Sequence, residues 1–125
     1  MVRNPYDIIS KIGAPSRKKL EDTIESFFSR AELVKKARAK IAKEDICEIR
    51  LESLVEDPRG TLKRLCDFLE IDSPEDYITA CAKVVLKKPV KNYTDLWDDS
   101  LIDSTNKKMD SVDYLKGYSL EKAHN

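Results

Sequence analysis

The chain contains a single run of residues with the character of a β-strand. Residues 46–51, Ile-Cys-Glu-Ile-Arg-Leu, are short and partly β-branched, and they follow a charged turn. A strand needs a partner, and residues 1–3 are the segment from which one could come. An isolated pair of this kind is marginal, so the chain is predicted to be mostly α-helical with one or two short parallel strands.

Apolar residues recur at helical spacing through most of the remaining chain. Residues 5–12 predict a short helix that ends at Gly13. Ser16 is predicted to begin a long helix that reaches about Lys43, with an apolar stripe on one face. Arg38 takes one position of that stripe, where an apolar residue would be expected.

Capping residues mark three further helix starts. Asp57 is predicted to be an N-cap because Pro58, which suits the first helical position, follows it directly. Ser73 carries the same signal, with an acidic residue three positions later. Thr94 is predicted to cap the last long helix, which has Trp97 on its inward side.

Composition limits the class of protein. The chain has 125 residues, enough for one domain, and its 23 acidic and 23 basic residues balance. A net charge near zero gives no general attraction to nucleic acid or to membranes. Apolar runs are too short for a membrane span or a signal peptide.

Three widely spaced cysteines, Cys47, Cys66 and Cys81, are embedded in apolar patterns. This pattern favours reduced, buried thiols in a cytoplasmic setting over a disulfide framework or a metal site. The one histidine, His124, is the penultimate residue, which is a poor position for catalysis. No metal ligand set is predicted.

The first residues suggest an anion site. Arg3 and Asn4 precede Pro5, which suits the first position of a helix. Free amide N–H groups and the helix dipole at that end would attract an anion, and Arg3 could bind it bidentately. The alternative is an ordinary turn followed by a solvated arginine.

Two segments together resemble the sulfotransferases that use 3′-phosphoadenosine 5′-phosphosulfate (PAPS). Residues 3–7, Arg-Asn-Pro-Tyr-Asp, are similar to the 3′-phosphate-binding element of that family. Residues 49–69 resemble its second hallmark, a strand, an acidic residue, a leucine, Asp-Pro and a helix that ends in Phe-Leu. The chain's end, with Trp97 and residues 114–118, Tyr-Leu-Lys-Gly-Tyr, resembles the family's closing pattern.

The resemblance implies a fold and a cofactor. The fold is an α/β domain related to P-loop proteins, of which residues 1–125 would form the C-terminal part. The cofactor is PAPS, or its product adenosine 3′,5′-bisphosphate (PAP). Arg3 takes the place of the residue that binds the 3′-phosphate. The family's serine falls one position away, so either Ser10 reaches the phosphate or Lys11 supplies a charge instead.

The family's other elements have no counterpart in the sequence. Its Gly-rich phosphosulfate loop and catalytic base lie upstream, whereas the glycines here, Gly13, Gly60 and Gly117, are isolated. No catalytic residue is therefore assigned. The parent reaction would transfer sulfonate from PAPS to a hydroxyl or amine. We expect a chain of this kind, as a truncated gene model, split product or pseudoenzyme, to bind nucleotide weakly and not to catalyse alone.

A second class of function stays open, that of a small helical protein-interaction module without catalysis. If the chain is instead part of a sulfotransferase domain, helices that should cover a sheet would expose apolar faces. The sequence therefore also predicts loose packing on one side and possible self-association.

Overall fold

The computed structural model describes residues 1–13, 16–85 and 96–120. As predicted, these residues are mostly helical. They contain six α-helices: α1 Pro5–Gly13, α2 Arg17–Ala39, α3 Leu51–Glu56, α4 Pro58–Phe68, α5 Glu75–Lys83 and α6 Asp99–Asp110.

The chain divides into two compact units. The first unit comprises Met1–Arg3 and Glu44–Pro89, and it contains α3, α4 and α5. The second unit comprises Asn4–Lys43 and Val90–Asn125, and it contains α1, α2 and α6.

Helices α1 and α2 form as the periodicity predicts. Helix α1 is one residue longer than expected. Helix α2 begins after Ser16, whose Oγ accepts a hydrogen bond from the Lys19 backbone N–H at 3.2 Å. It ends at Ala39, four residues before the predicted end. Arg38 is accommodated in the apolar stripe by a cation–π contact, because its guanidinium lies 4.8 Å from the centre of the Tyr114 ring.

The apolar core of the second unit draws on α1, α2 and the residues that follow α6. Its fully buried members share one property, an exposed fraction of 1% or less: Tyr6, Ile9, Leu20, Val112 and Leu115. Burial of side chains of this size contributes roughly 1.5–3 kcal/mol each relative to exposure. This core fixes the surfaces from which any site on this unit is built.

The predicted strand at residues 46–51 pairs with residues 1–3 in parallel, as expected, but over a much shorter length than predicted. The first unit contains an isolated parallel bridge between Val2 and Arg50, and α3 begins at Leu51. The Val2 N–H donates to the Ile49 carbonyl, and the Leu51 N–H donates to the Val2 carbonyl, both at 2.7 Å. In the described residues, pairing does not continue past Arg50, because α3 begins at Leu51 and the backbone turns into a helix there.

The predicted caps hold in one case and fail in another. Asp57 caps α4, and its side chain accepts a hydrogen bond from the Gly60 N–H at 3.0 Å. The predicted cap of α5 was Ser73, but the N-cap position belongs to Pro74, which makes no capping hydrogen bond through its side chain. The acidic residues Glu75 and Asp76 in the first turn favour this helix end instead.

Helix α6 begins later than the sequence suggested. Thr94 lies outside the described residues, and the N-cap of α6 is Asp98, whose side chain accepts from the Leu101 N–H at 2.8 Å. Asp98 also forms an ion pair with Arg17 at the start of α2. The Leu101 hydrogen bond, with the Arg17 charge beside it, holds the pKa of the Asp98 carboxyl below its usual value.

The three cysteines are unpaired. Cys66 is buried, and Cys47 and Cys81 are half-buried. In the part of the chain that the structure describes, no helix is both long enough and apolar enough to cross a membrane.

Candidate functional site

Arg3 lies next to the second family-like segment. It directly follows Val2, whose backbone forms hydrogen bonds with the two neighbours of Arg50, Ile49 and Leu51. The Arg3 side chain is half-buried, and it forms no hydrogen bond or ion pair with the residues that the structure describes. The parallel bridge therefore brings two segments that are 48 positions apart in the sequence into one small element, with an arginine at its edge.

The amide groups at the start of α1 are not available to a ligand. Asn4 is the cap, and its Oδ1 accepts a hydrogen bond from the Tyr6 N–H at 3.0 Å. The Asn4 carbonyl accepts from the N–H groups of Asp7 and Ile8 at 3.1 and 3.3 Å. Since Pro5 has no N–H, the expectation of free amides at this helix end is wrong. Recognition of an anion would therefore depend on side-chain charge.

Ser10 lies in the core of the second unit. It is 1% exposed, and its Oγ accepts a hydrogen bond from the Trp97 indole N–H at 2.8 Å. The Trp97 ring packs edge-on against Tyr6, with ring centres 4.7 Å apart. In this position Ser10 satisfies a buried indole donor, so its hydroxyl is not presented to a ligand at the surface of this unit.

Tyr6 completes this buried polar group. Its hydroxyl donates a hydrogen bond to Asn106 Oδ1 at 2.5 Å. Burial, with the Asp103 charge as a smaller cause, raises the pKa of Tyr6 to about 12. The phenol is therefore neutral at ordinary pH and acts as a structural donor.

Lys11 is exposed in the last turn of α1. Its side chain makes no ion pair within the described residues, so its charge is open to solvent. Of the three predicted contacts, Arg3 and Lys11 have side-chain charges that solvent can reach, whereas the Ser10 hydroxyl is buried.

Arg50 is a residue of this region that the sequence analysis did not single out. It is bridged to Val2, is half-buried, and lies 3.9 Å from the Glu48 carboxylate. The guanidinium of Arg64 donates to the Glu48 carbonyl at 3.0 Å. The sequence did contain a signal for Arg50, because this residue lies inside the family-like segment that begins at residue 49.

Comparison with known proteins decides the family. The sequence model described as the sulfotransferase family matches residues 1–75 of the chain. This chain belongs to the sulfotransferase family. Neither a curated protein nor a solved structure matches it.

The matched range covers two of the three segments that carry the sulfotransferase resemblance. It contains Arg3, Ser10 and Lys11 and the whole of residues 49–69. Trp97 and residues 114–118, which also carried the resemblance, lie beyond the match. The family assignment therefore rests on the part of the chain that holds the candidate nucleotide contacts.

Proposed function

We propose that this chain carries the 3′-phosphate-recognising part of a PAPS-dependent sulfotransferase. The parent reaction is transfer of a sulfonate group from PAPS to a hydroxyl or amine acceptor. One observation carries the proposal: the family match includes two distant segments, and the Val2–Arg50 bridge pairs their backbones beside Arg3. The α/β fold of the family accounts for a parallel bridge in an otherwise helical chain.

Arg3 is the proposed contact to the 3′-phosphate. A planar guanidinium presents two parallel N–H donors to phosphate oxygens, and a half-buried position strengthens that interaction over one in bulk water. Lys11 is proposed as a further source of positive charge. Ser10 is proposed to act indirectly, because its hydrogen bond to Trp97 fixes the packing of α1.

These 125 residues are proposed to bind PAP weakly and not to turn over PAPS by themselves. Sulfonate transfer needs donors around the developing negative charge and a base near the acceptor hydroxyl. The three glycines stand at positions 13, 60 and 117, so the sequence contains no Gly-rich loop with a lysine. We further propose that both compact units belong to one sulfotransferase domain.

Two smaller proposals concern the setting of the chain. Three unpaired thiols support a cytoplasmic location. Self-association is supported by large apolar side chains that the first unit leaves exposed: Phe68, Leu69, Ile71, Tyr77 and Val84.

A kinetic experiment tests the functional proposal. The 125-residue chain, incubated with PAPS and a phenol or an aliphatic amine, is expected to release no PAP above background. In a longer chain that also carries the Gly-rich loop, Arg3→Gln should raise the KM for PAPS about tenfold and change kcat less. Lys18→Gln, an exposed charge change on α2, is the control. Turnover by the short chain, or an unchanged KM in the Arg3 variant, would overturn the proposal.

A further inference from the structure

A groove of about 620 Å³ runs along α2 in the second unit. Its volume is within the range of pockets that hold small organic molecules. Helix α1 contributes Ile8 and Ile12, and Tyr114 closes one side. The remaining lining comes from one face of α2, between Lys19 and Val34.

The two sides of the groove differ in chemistry. Phe27, Ala31 and Val34 are spaced by four and three residues, so they form one apolar stripe along α2. The isoleucines of α1 add to this apolar wall, and Ile12 and Val34 are 55% and 45% exposed. A surface of this kind favours an apolar chain or ring that removes it from water.

Arg30 supplies a positive charge beside the apolar stripe. It is exposed and forms no ion pair with the described residues, and Ser26 lies one helical turn before it. The acidic residue of the lining, Asp22, is three positions from Lys19, so these two opposite charges are neighbours on the helix. Arg30 is about 12 Å further along α2 than Asp22, at the rise of an ideal helix. The excess positive charge therefore lies in the half of the groove that contains Arg30, beside the apolar stripe.

Tyr114 adds a neutral polar group in the same half of the groove. Its hydroxyl donates to the Ala31 carbonyl at 3.5 Å. Burial raises the pKa of Tyr114, so no negative charge develops there at ordinary pH. Tyr114 itself therefore does not repel an anion.

We propose that this groove binds a single-chain amphiphile with an anionic head group, such as a carboxylate or sulfate. The alkyl chain lies on Ile8, Phe27 and Val34, and the head group contacts the Arg30 guanidinium. Charge complementarity at Arg30 and the length of the apolar wall carry this assignment. It goes beyond the proposed function, because none of the proposed nucleotide contacts lines the groove.

Calorimetric titration with laurate below its micelle-forming concentration and with lauryl alcohol below its solubility limit tests the head-group contact. Wild-type protein should bind laurate more tightly than the alcohol. Arg30→Gln should weaken laurate binding about tenfold and leave alcohol binding unchanged, because one charge-assisted contact is lost. Lys18→Gln, on the same helix but outside the groove, should change neither affinity. Equal affinity of the wild type for both ligands would overturn the proposal.

A second pair of variants tests the place of the alkyl chain. Val34 lines the groove and is 45% exposed, whereas its neighbour Leu33 does not line it and is 65% exposed. Val34→Glu should weaken laurate binding at least tenfold, and Leu33→Glu should have little effect, with circular dichroism confirming the fold of both. Equal losses in the two variants would overturn the assignment. So would a wild-type dimer that Val34→Glu alone dissociates, since a second copy would then occupy the groove.

Discussion

Gly13 is a residue whose missing side chain allows a close helix contact. It is the last residue of α1, and a Cβ atom built there would lie 2.8 Å from the Leu20 Cα. Leu20 is fully buried, so its backbone cannot move aside cheaply. The glycine therefore sets how closely α1 and α2 approach each other.

We predict that Gly13→Ala lowers the free energy of unfolding by about 1–3 kcal/mol, although alanine is the better helix former. Urea denaturation followed by circular dichroism measures the change. Ser29→Ala, at an exposed position of α2, should alter stability by no more than about 0.5 kcal/mol. A Gly13→Ala protein as stable as the wild type would show that α1 and α2 are not in this contact.

Tyr6 should make stability depend on pH in the alkaline range. Its folded pKa, about 12, exceeds the value near 10 of an unfolded chain. The unfolded state therefore loses its proton first, and the contribution of Tyr6, complete below pH 10, is lost as the pH rises from 10 to 12.

We predict that Tyr6→Phe costs about 1 kcal/mol at neutral pH, because the hydrogen bond to Asn106 is lost. Between pH 10 and 12 the variant should lose less stability than the wild type, by up to about 1.4 kcal/mol per pH unit. Denaturation midpoints at a series of pH values measure both effects. Parallel curves for the two proteins would contradict the raised pKa.

At the scale of elements, α3 and α4 meet at one residue. Asp57 stands between them with a non-helical backbone, its N–H donates to the Ser53 carbonyl at 2.9 Å, and its side chain caps α4. A Cβ atom at Gly60 would collide with the Asp57 carboxylate. The cap and the glycine are therefore coupled.

We predict that Asp57→Ala lowers the free energy of unfolding by about 1 kcal/mol. Gly60→Ala should give no gain in the wild type, because it displaces the cap. In the Asp57→Ala background it should stabilise by up to about 1 kcal/mol through helix propensity. Thermal or urea denaturation of the four proteins gives the coupling energy. Additive effects would show that the cap does not need the glycine.

Local signals in the sequence identified helices well and the extent of strand pairing poorly. The caps at Ser16 and Asp57 bind backbone groups three residues further along the chain, so the local sequence is enough to predict them. The bridge between Val2 and Arg50 depends on a partner 48 positions away, and the short run at residues 46–51 could not show how far pairing extends. A strand was predicted where one bridged pair forms.

The candidate site shows the same division. Arg3 was recognisable because the residues around it form a motif that the family match contains. The burial of Ser10 could not be predicted, because its hydrogen-bond partner Trp97 is 87 positions away in the sequence. The role of Asn4 could not be predicted either. The motif around it is typical of anion binding, but its side chain accepts the hydrogen bond of the Tyr6 amide.

At the scale of the whole molecule, buried apolar side chains are divided unevenly between the two units. Among the described residues, those of the first unit are Ile49, Cys66 and Ile78, whereas the second unit holds nine, including Tyr6 and Trp97. The first unit nevertheless carries Arg3 and the segment paired with it. Arg3, the proposed contact to the 3′-phosphate, thus belongs to the unit with the smaller apolar core.

The central claim is that Arg3 of this sulfotransferase-family chain recognises a 3′-phosphate. Phosphorus NMR of PAP distinguishes its 3′ from its 5′ phosphate, so a titration with the 125-residue chain shows which one is bound. We predict weaker than micromolar binding that shifts the 3′-phosphate resonance more than the 5′ one. Arg3→Gln should abolish that preference and Lys18→Gln should keep it. Micromolar or tighter binding, or a 3′ shift that survives Arg3→Gln, would contradict the account.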